Sequence, residues 1–201
     1  MEPPIPRASA PLLARPWFWA LAIAALFSFP LVKALSSRLP APLPGEHGPV
    51  LDLELPDETG APVSLHELRG HLVLVTALPL ANAVASEETL SGLYRLRKHL
   101  RGLDKAVAFV MLCRGGGTAQ LLPLLDERKA RKPLNLFLLD EQGAEFTRLA
   151  ALAGSPDAEW LLLDRHGRAR GVYAGDDAAL QNLVRDTGLL ANWAGQDPPP
   201  P

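Results

Sequence analysis

Three short runs, His71–Ala77 (HLVLVTA), Ala106–Leu112 (AVAFVML) and Leu134–Leu139 (LNLFLL), are almost wholly β-branched, leucine-rich or aromatic. Runs this apolar read as strands covered on both faces. Between them, apolar residues recur every three or four positions, as on one face of a helix. Strand and helix in alternation constrain the chain to a parallel α/β core with helices crossing over the sheet.

The punctuation supports that reading. Val50, Leu51, Leu53 and Leu55 predict a short leading strand, and Pro56–Gly60 is turn chemistry. Ser64 with Glu67 three residues on predicts a capping box, and Gly70 is placed to close the short helix. A longer helix is expected over 86–101, capped by Ser86, with Leu90, Leu93, Leu96 and Leu100 on its buried face. Thr118 opens another helix reaching Lys129, and 143–152 is helical in period. Trp160–Leu163, the turn Asp164–Gly167 and Arg168–Tyr173 predict a hairpin. Asp176 or Asp177 caps a last helix that Gly188 is expected to end. Three parallel strands closed by an antiparallel hairpin are the layout of a thioredoxin-like α/β domain with extra N-terminal elements.

Outside this domain, Trp17–Val32 is sixteen uncharged, mostly apolar residues between Arg15 and Lys33. Carried through Leu35, the run approaches the ~20 residues of a membrane-spanning helix, with Trp17 and Trp19 at one end. A single transmembrane anchor over 16–35 is expected. A cleaved signal peptide is the alternative, because Ala34 and Ser36 make a small-x-small site. The expected organisation is a tail over 1–15, the anchor, a Pro-rich spacer over 36–49, the domain over 50–190 and a Pro-rich tail over 191–201. Residues 1–44 carry Arg7, Arg15, Lys33 and Arg38 against Glu2 alone. The rest is mildly acidic and has no cationic cluster of the kind nucleic acid requires.

The stretch LDLELPDETGAPVSLHELRGHLVLVTA resembles the opening of the Sco/SenC family, and WLLLDRHGRARGVY resembles its strand-turn-strand close. That family is membrane-tethered and thioredoxin-like. Its members bind copper through a CxxxC pair and a distant His and help build the copper centre of cytochrome oxidase, and some reduce disulfides. Counted along the chain, the resemblance places Asn82 and Ser86 at the two Cys positions and Pro156 nearest the His. Amide and hydroxyl oxygens do not replace the thiolates that hold Cu(I) or attack a disulfide. The resemblance therefore implies a non-catalytic, cofactor-free member on the inner membrane, its domain facing the periplasm. It would act on a protein partner, in cytochrome oxidase or respiratory-chain assembly, through a contact loop at Asn82, Ser86 and Pro156.

Few other residues offer chemistry. Cys113, the one cysteine, closes the second run beside Arg114. It reads as a core residue, with one-cysteine thiol chemistry as the alternative function. Gly115–Gly117 reads as a flexible loop. His47, His66, His71, His99 and His166 show no ligand spacing. Arg95, Arg97, Lys98, His99 and Arg101 predict a basic outer face on the long helix, read as a solvated surface, with docking of an acidic partner as the alternative.

Overall fold

A computed structural model describes Trp17 and residues 47–128, 130, 134–155 and 157–192. Packing divides the chain after Pro42 into two units, and the second, from Leu43, holds every strand among the described residues. The expected anchor (Trp17 apart), most of the spacer, Pro156 and the C-terminal tail from 193 lie outside the described residues. Among the described residues, no helix is long and apolar enough to cross a membrane.

In chain order the elements are β1 (His47–Val50), β2 (Glu54–Pro56), β3 (Pro62–Ser64), a 3-10 turn (Leu65–Leu68) and β4 (Leu72–Pro79). They continue as α1 (Ala83–His99), β5 (Val107–Arg114), α2 (Thr118–Arg128), β6 (Asn135–Asp140) and α3 (Ala144–Leu152). The hairpin β7 (Trp160–Leu163) and β8 (Arg168–Tyr173) and then α4 (Asp177–Asn192) complete the domain. Six strands form one sheet in the order β1-β8-β7-β4-β5-β6, while β2 and β3 make a separate hairpin. β4, β5 and β6 run parallel, and β7 is antiparallel to β4. This is the mixed sheet that the three apolar runs and the hairpin predict.

Strand alternation explains why those runs are apolar throughout. Along β4, Leu72, Leu74 and Leu78 face a cluster with Leu90, Leu93 and Leu96 of α1 and Leu183 of α4. Val73 and Val75 face the other side, among Phe146 and Leu149 of α3 and Leu51, Leu53 and Leu65 of the N-terminal segment. On each face, every large side chain taken out of water contributes about 1.5–3 kcal/mol.

Local signals hold in most places. Asp57 Oδ1 accepts from the Thr59 and Ala61 amides, closing the β2–β3 turn with Gly60 at φ +88°. Ser64 and Glu67 make the expected capping box, and Gly70 at φ +92° ends the turn.

Four expectations are corrected. The leading strand is two strands: Leu51 and Leu53 between them are buried, and their amides bond to the Gly167 carbonyl and the Asp52 carboxylate. The spacer stops short of 49, because His47–Val50 pairs with β8; Pro49 is tolerated there since β1 is an edge strand. The long helix starts at Ala83 and is capped by Asn82, which leaves Ser86 inside it. The last helix passes through Gly188 to Asn192, since burying Leu190 outweighs the ~1 kcal/mol helical cost of one glycine.

Candidate functional site

In a parallel sheet, ligands gather at the C-terminal ends of strands. Here β4 ends at Pro79, and three residues carry the chain into α1. The Leu80 amide donates to the Arg114 carbonyl and the Asn82 amide to the Pro79 carbonyl. Asn82 Oδ1 then accepts from the Val84 and Ala85 amides at 3.1 Å each, satisfying donors that a helix start leaves open. Ser86, 2% exposed, donates its hydroxyl to the Pro79 carbonyl at 2.6 Å. Both side chains are therefore engaged in holding the strand-to-helix connection.

This divides the expected contact loop. Asn82 is at the surface, beside Ala81, Ala83 and a 70% exposed Val84. Ser86 is buried and presents nothing to a partner, because its hydroxyl serves the backbone carbonyl beneath it. Pro156 lies outside the described residues, but the chain on either side of it is fixed. Gly154 at φ +88° ends α3, with the Ser155 amide bonded to the Ala150 carbonyl. On the other side, the buried Thr76 hydroxyl donates to the Glu159 carbonyl at 2.8 Å, tying the approach to β7 onto β4.

A cleft of about 710 Å³ opens between these parts, walled by Thr76 and Pro79 of β4, Glu88 and Arg95 of α1, and Asp157, Glu159 and Trp160. Arg114 at the end of β5 also lines it, its aliphatic chain lying along Gly143. Arg95 pairs with Asp177 at 2.9 Å. A Cβ at Gly175 would meet the Glu159 carboxylate where it now stands, so a side chain there would push this flexible carboxylate aside. Sequence reasoning misses Glu159 and Gly175; a glycine directly before an acidic helix cap is the one trace they leave. Cleft charges are mixed, and among the described residues no group of three His, Cys, Asp or Glu is placed to hold a metal.

Cys113 is on the sheet, two positions beyond Met111, and fully buried with Leu74, Leu78 and Leu90. Desolvation pushes its thiol up to about 12, and the charge of Glu58 adds to the shift. Nucleophilic thiols need the opposite environment. The glycine loop after β5 is shaped by contact: Gly115 adopts φ +70°, and a Cβ on Gly116 would lie 2.8 Å from the Leu80 Cβ. This loop packs on the start of the β4–α1 connection.

Histidines do not converge on the site. His66 is inside the 3-10 turn, His71 follows it, and His166 is in the β7–β8 turn, where its amide bonds to Asp164. The basic outer face of α1 is smaller than expected. Arg97 folds back over the Phe109 ring, 5.8 Å from its centroid, and bonds to Asn135.

No protein-family model matches the chain, and neither does any curated protein. Solved structures do. A SCO1/SenC family lipoprotein from Bacillus anthracis is similar at TM-score 0.61 and 13% identity, over 75% of this chain and 99% of that one. BsSco, a member of the Sco family of cytochrome c oxidase assembly proteins, is similar at TM-score 0.55 and 16% identity, over 74% and 96%. A thiol:disulfide interchange protein of the thioredoxin family from Chlorobium tepidum is similar at TM-score 0.55 and 12% identity, over 73% and 98%. At these identities the likeness establishes architecture: the chain carries a Sco/SenC-like thioredoxin fold.

Proposed function

We propose that this chain is a membrane-anchored, non-catalytic Sco/SenC-like protein that works by binding a protein partner, as an accessory in cytochrome oxidase or respiratory-chain assembly. The domain stands on the periplasmic side of the inner membrane, held by the apolar segment 16–35. One observation carries this reading. The two positions to which the resemblance assigns the family's cysteine pair hold Asn82 and Ser86, and both are bonded into the start of α1. Copper has no soft donor there, and a disulfide has no attacking thiolate. The scaffold is kept while its chemistry is replaced by backbone capping, which suits a role in recognition. BsSco, similar in fold, belongs to a family of oxidase assembly proteins.

The one-cysteine alternative draws no support from the setting of Cys113, which is buried and held protonated. The test is an anaerobic Cu(I) titration of the full chain in detergent, beside its Cys113→Ser variant, followed by capture of partners from solubilised membranes. No binding above the variant, together with a co-purifying oxidase component, is the expected result. Tight stoichiometric binding would restore copper handling and overturn the reading.

A further inference from the structure

The two ends of the sheet differ in charge. Where β4, β5 and β8 begin, three connections are held together by backbone bonds. The Gly70 amide donates to the Arg165 carbonyl at 2.9 Å, and the Leu72 amide to the Ala106 carbonyl at 2.8 Å. Arg69, Arg101 and Lys105 are exposed on these connections. The carboxylates beside them are engaged elsewhere: Glu67 accepts from the Ser64 amide, Asp104 pairs with Arg97 and Asp164 with Arg170. Helix ends explain Lys98 and His99, in the last turn of α1, and Arg165, which donates to the Ala191 carbonyl of α4. They do not explain Arg69, which follows a four-residue 3-10 turn, or Lys105, in the turn before β5. The opposite end exposes Glu141, Asp157, Glu159 and Asp176 against Arg114. The chain enters at the basic end: Val50 registers with Arg168 at the start of β8, and the Leu51 amide bonds to the Gly167 carbonyl in the adjoining turn.

We propose that the basic end of the domain rests on anionic phospholipid, which turns the acidic end and its cleft away from the bilayer. The inference rests on the reading that residues 16–35 anchor the chain. Residues 36–46 then join the anchor to β1, and so short a segment reaches at most about 40 Å when fully extended. A tether of that length keeps the basic end at high effective concentration beside the headgroups, so that a few cations suffice. Attraction acts only within roughly 10 Å at ordinary salt, which makes the contact close and salt-sensitive. Repulsion of the acidic end by the same lipids adds orientation to attraction. The cations come from separate connections, so no single run of the sequence displays this face.

Fluorescence quenching of the full chain in vesicles tests this. In a Cys113→Ala background, a probe on H66C, exposed at the basic end, is compared with one on A174C, exposed at the acidic end. With nitroxide-headgroup lipid in equimolar phosphatidylcholine and phosphatidylglycerol, quenching at H66C should exceed that at A174C several-fold. High salt, or phosphatidylcholine alone, should abolish the difference. R69E/R101E/K105E should abolish it too while retaining its circular dichroism. Equal quenching at the two positions, in a chain that floats with phosphatidylcholine vesicles, would overturn the proposal and leave the anchored reading intact. A chain that fails to float with them would overturn both. A difference indifferent to salt, or crosslinking of H66C to another polypeptide in native membranes, would also overturn the lipid contact.

Discussion

The hydroxyl of Ser86 reaches back to the carbonyl of Pro79, the last residue of β4, at 2.6 Å. With Asn82 capping the same helix, this bond fixes the angle at which α1 leaves the sheet. Both positions hold structure, and cysteines placed there ask whether the same connection accepts a thiolate pair. Their i, i+4 spacing puts two side chains on one side of the first turn of α1. The N82C/S86C variant is expected to gain stoichiometric Cu(I) binding that neither single variant shows. Losing the cap and leaving the Pro79 carbonyl short of a partner should together cost about 2–4 kcal/mol, read by denaturant unfolding.

Cys113 sets a pH dependence at the alkaline end. Burial raises its thiol from the ordinary 9.0 to about 12, so the folded state holds this proton more tightly than the unfolded chain does. Its contribution to stability is full below pH 9 and falls as pH rises from 9 toward 12. Cys113→Ala should flatten that part of the stability profile. In the native wild type, the thiol should react with a disulfide reagent at about pH 8 only as fast as the domain opens.

Within the β7–β8 turn, Asp164 is 3% exposed, takes the His166 and Arg168 amides on one oxygen and pairs its other oxygen with Arg170 Nε at 2.8 Å. Removing the cation strands a buried carboxylate. Arg170→Ala should destabilise by about 3–5 kcal/mol in urea unfolding, well beyond the effect of truncating an exposed arginine such as Arg101.

Two adjacent glycines should separate cleanly. A Cβ at Gly116 meets Leu80 at 2.8 Å, while one at Gly117 meets nothing within 4 Å. Gly116→Ala should displace the β4–α1 connection, lowering the melting temperature and shifting the NMR signals of Ala81 and Asn82. Gly117→Ala should leave both unchanged.

How far the sequence can be read depends on how local each determinant is. The buried strands, the Ser64 cap and the hairpin turn rest on neighbours within a few residues, and these are legible. Asn82 is hard to recognise as the cap of α1, because Ser86 followed by Glu87 and Glu88 makes an equally good local signal. Tertiary contact decides between them, since Ser86 lies over the Pro79 carbonyl. Glu159 and Gly175 are brought together by the β7–β8 hairpin, but Arg114 joins them in the cleft from the end of β5, and no spacing in the chain encodes that meeting. Arg97 reads as part of the outer face because nothing local announces the Phe109 ring beneath it.

Strand β1 has a mechanical consequence. It registers with β8 at only two points, His47 with Ala169 and Val50 with Arg168, with an irregularity between them. Tension entering through the residues before His47 would be taken by those rungs first, peeling β1 away while β4 and β5 stay in register. The sheet therefore has a yielding element at the end where the chain arrives. Once it yields, the outer edge of β8 is bare and open to pairing with another strand.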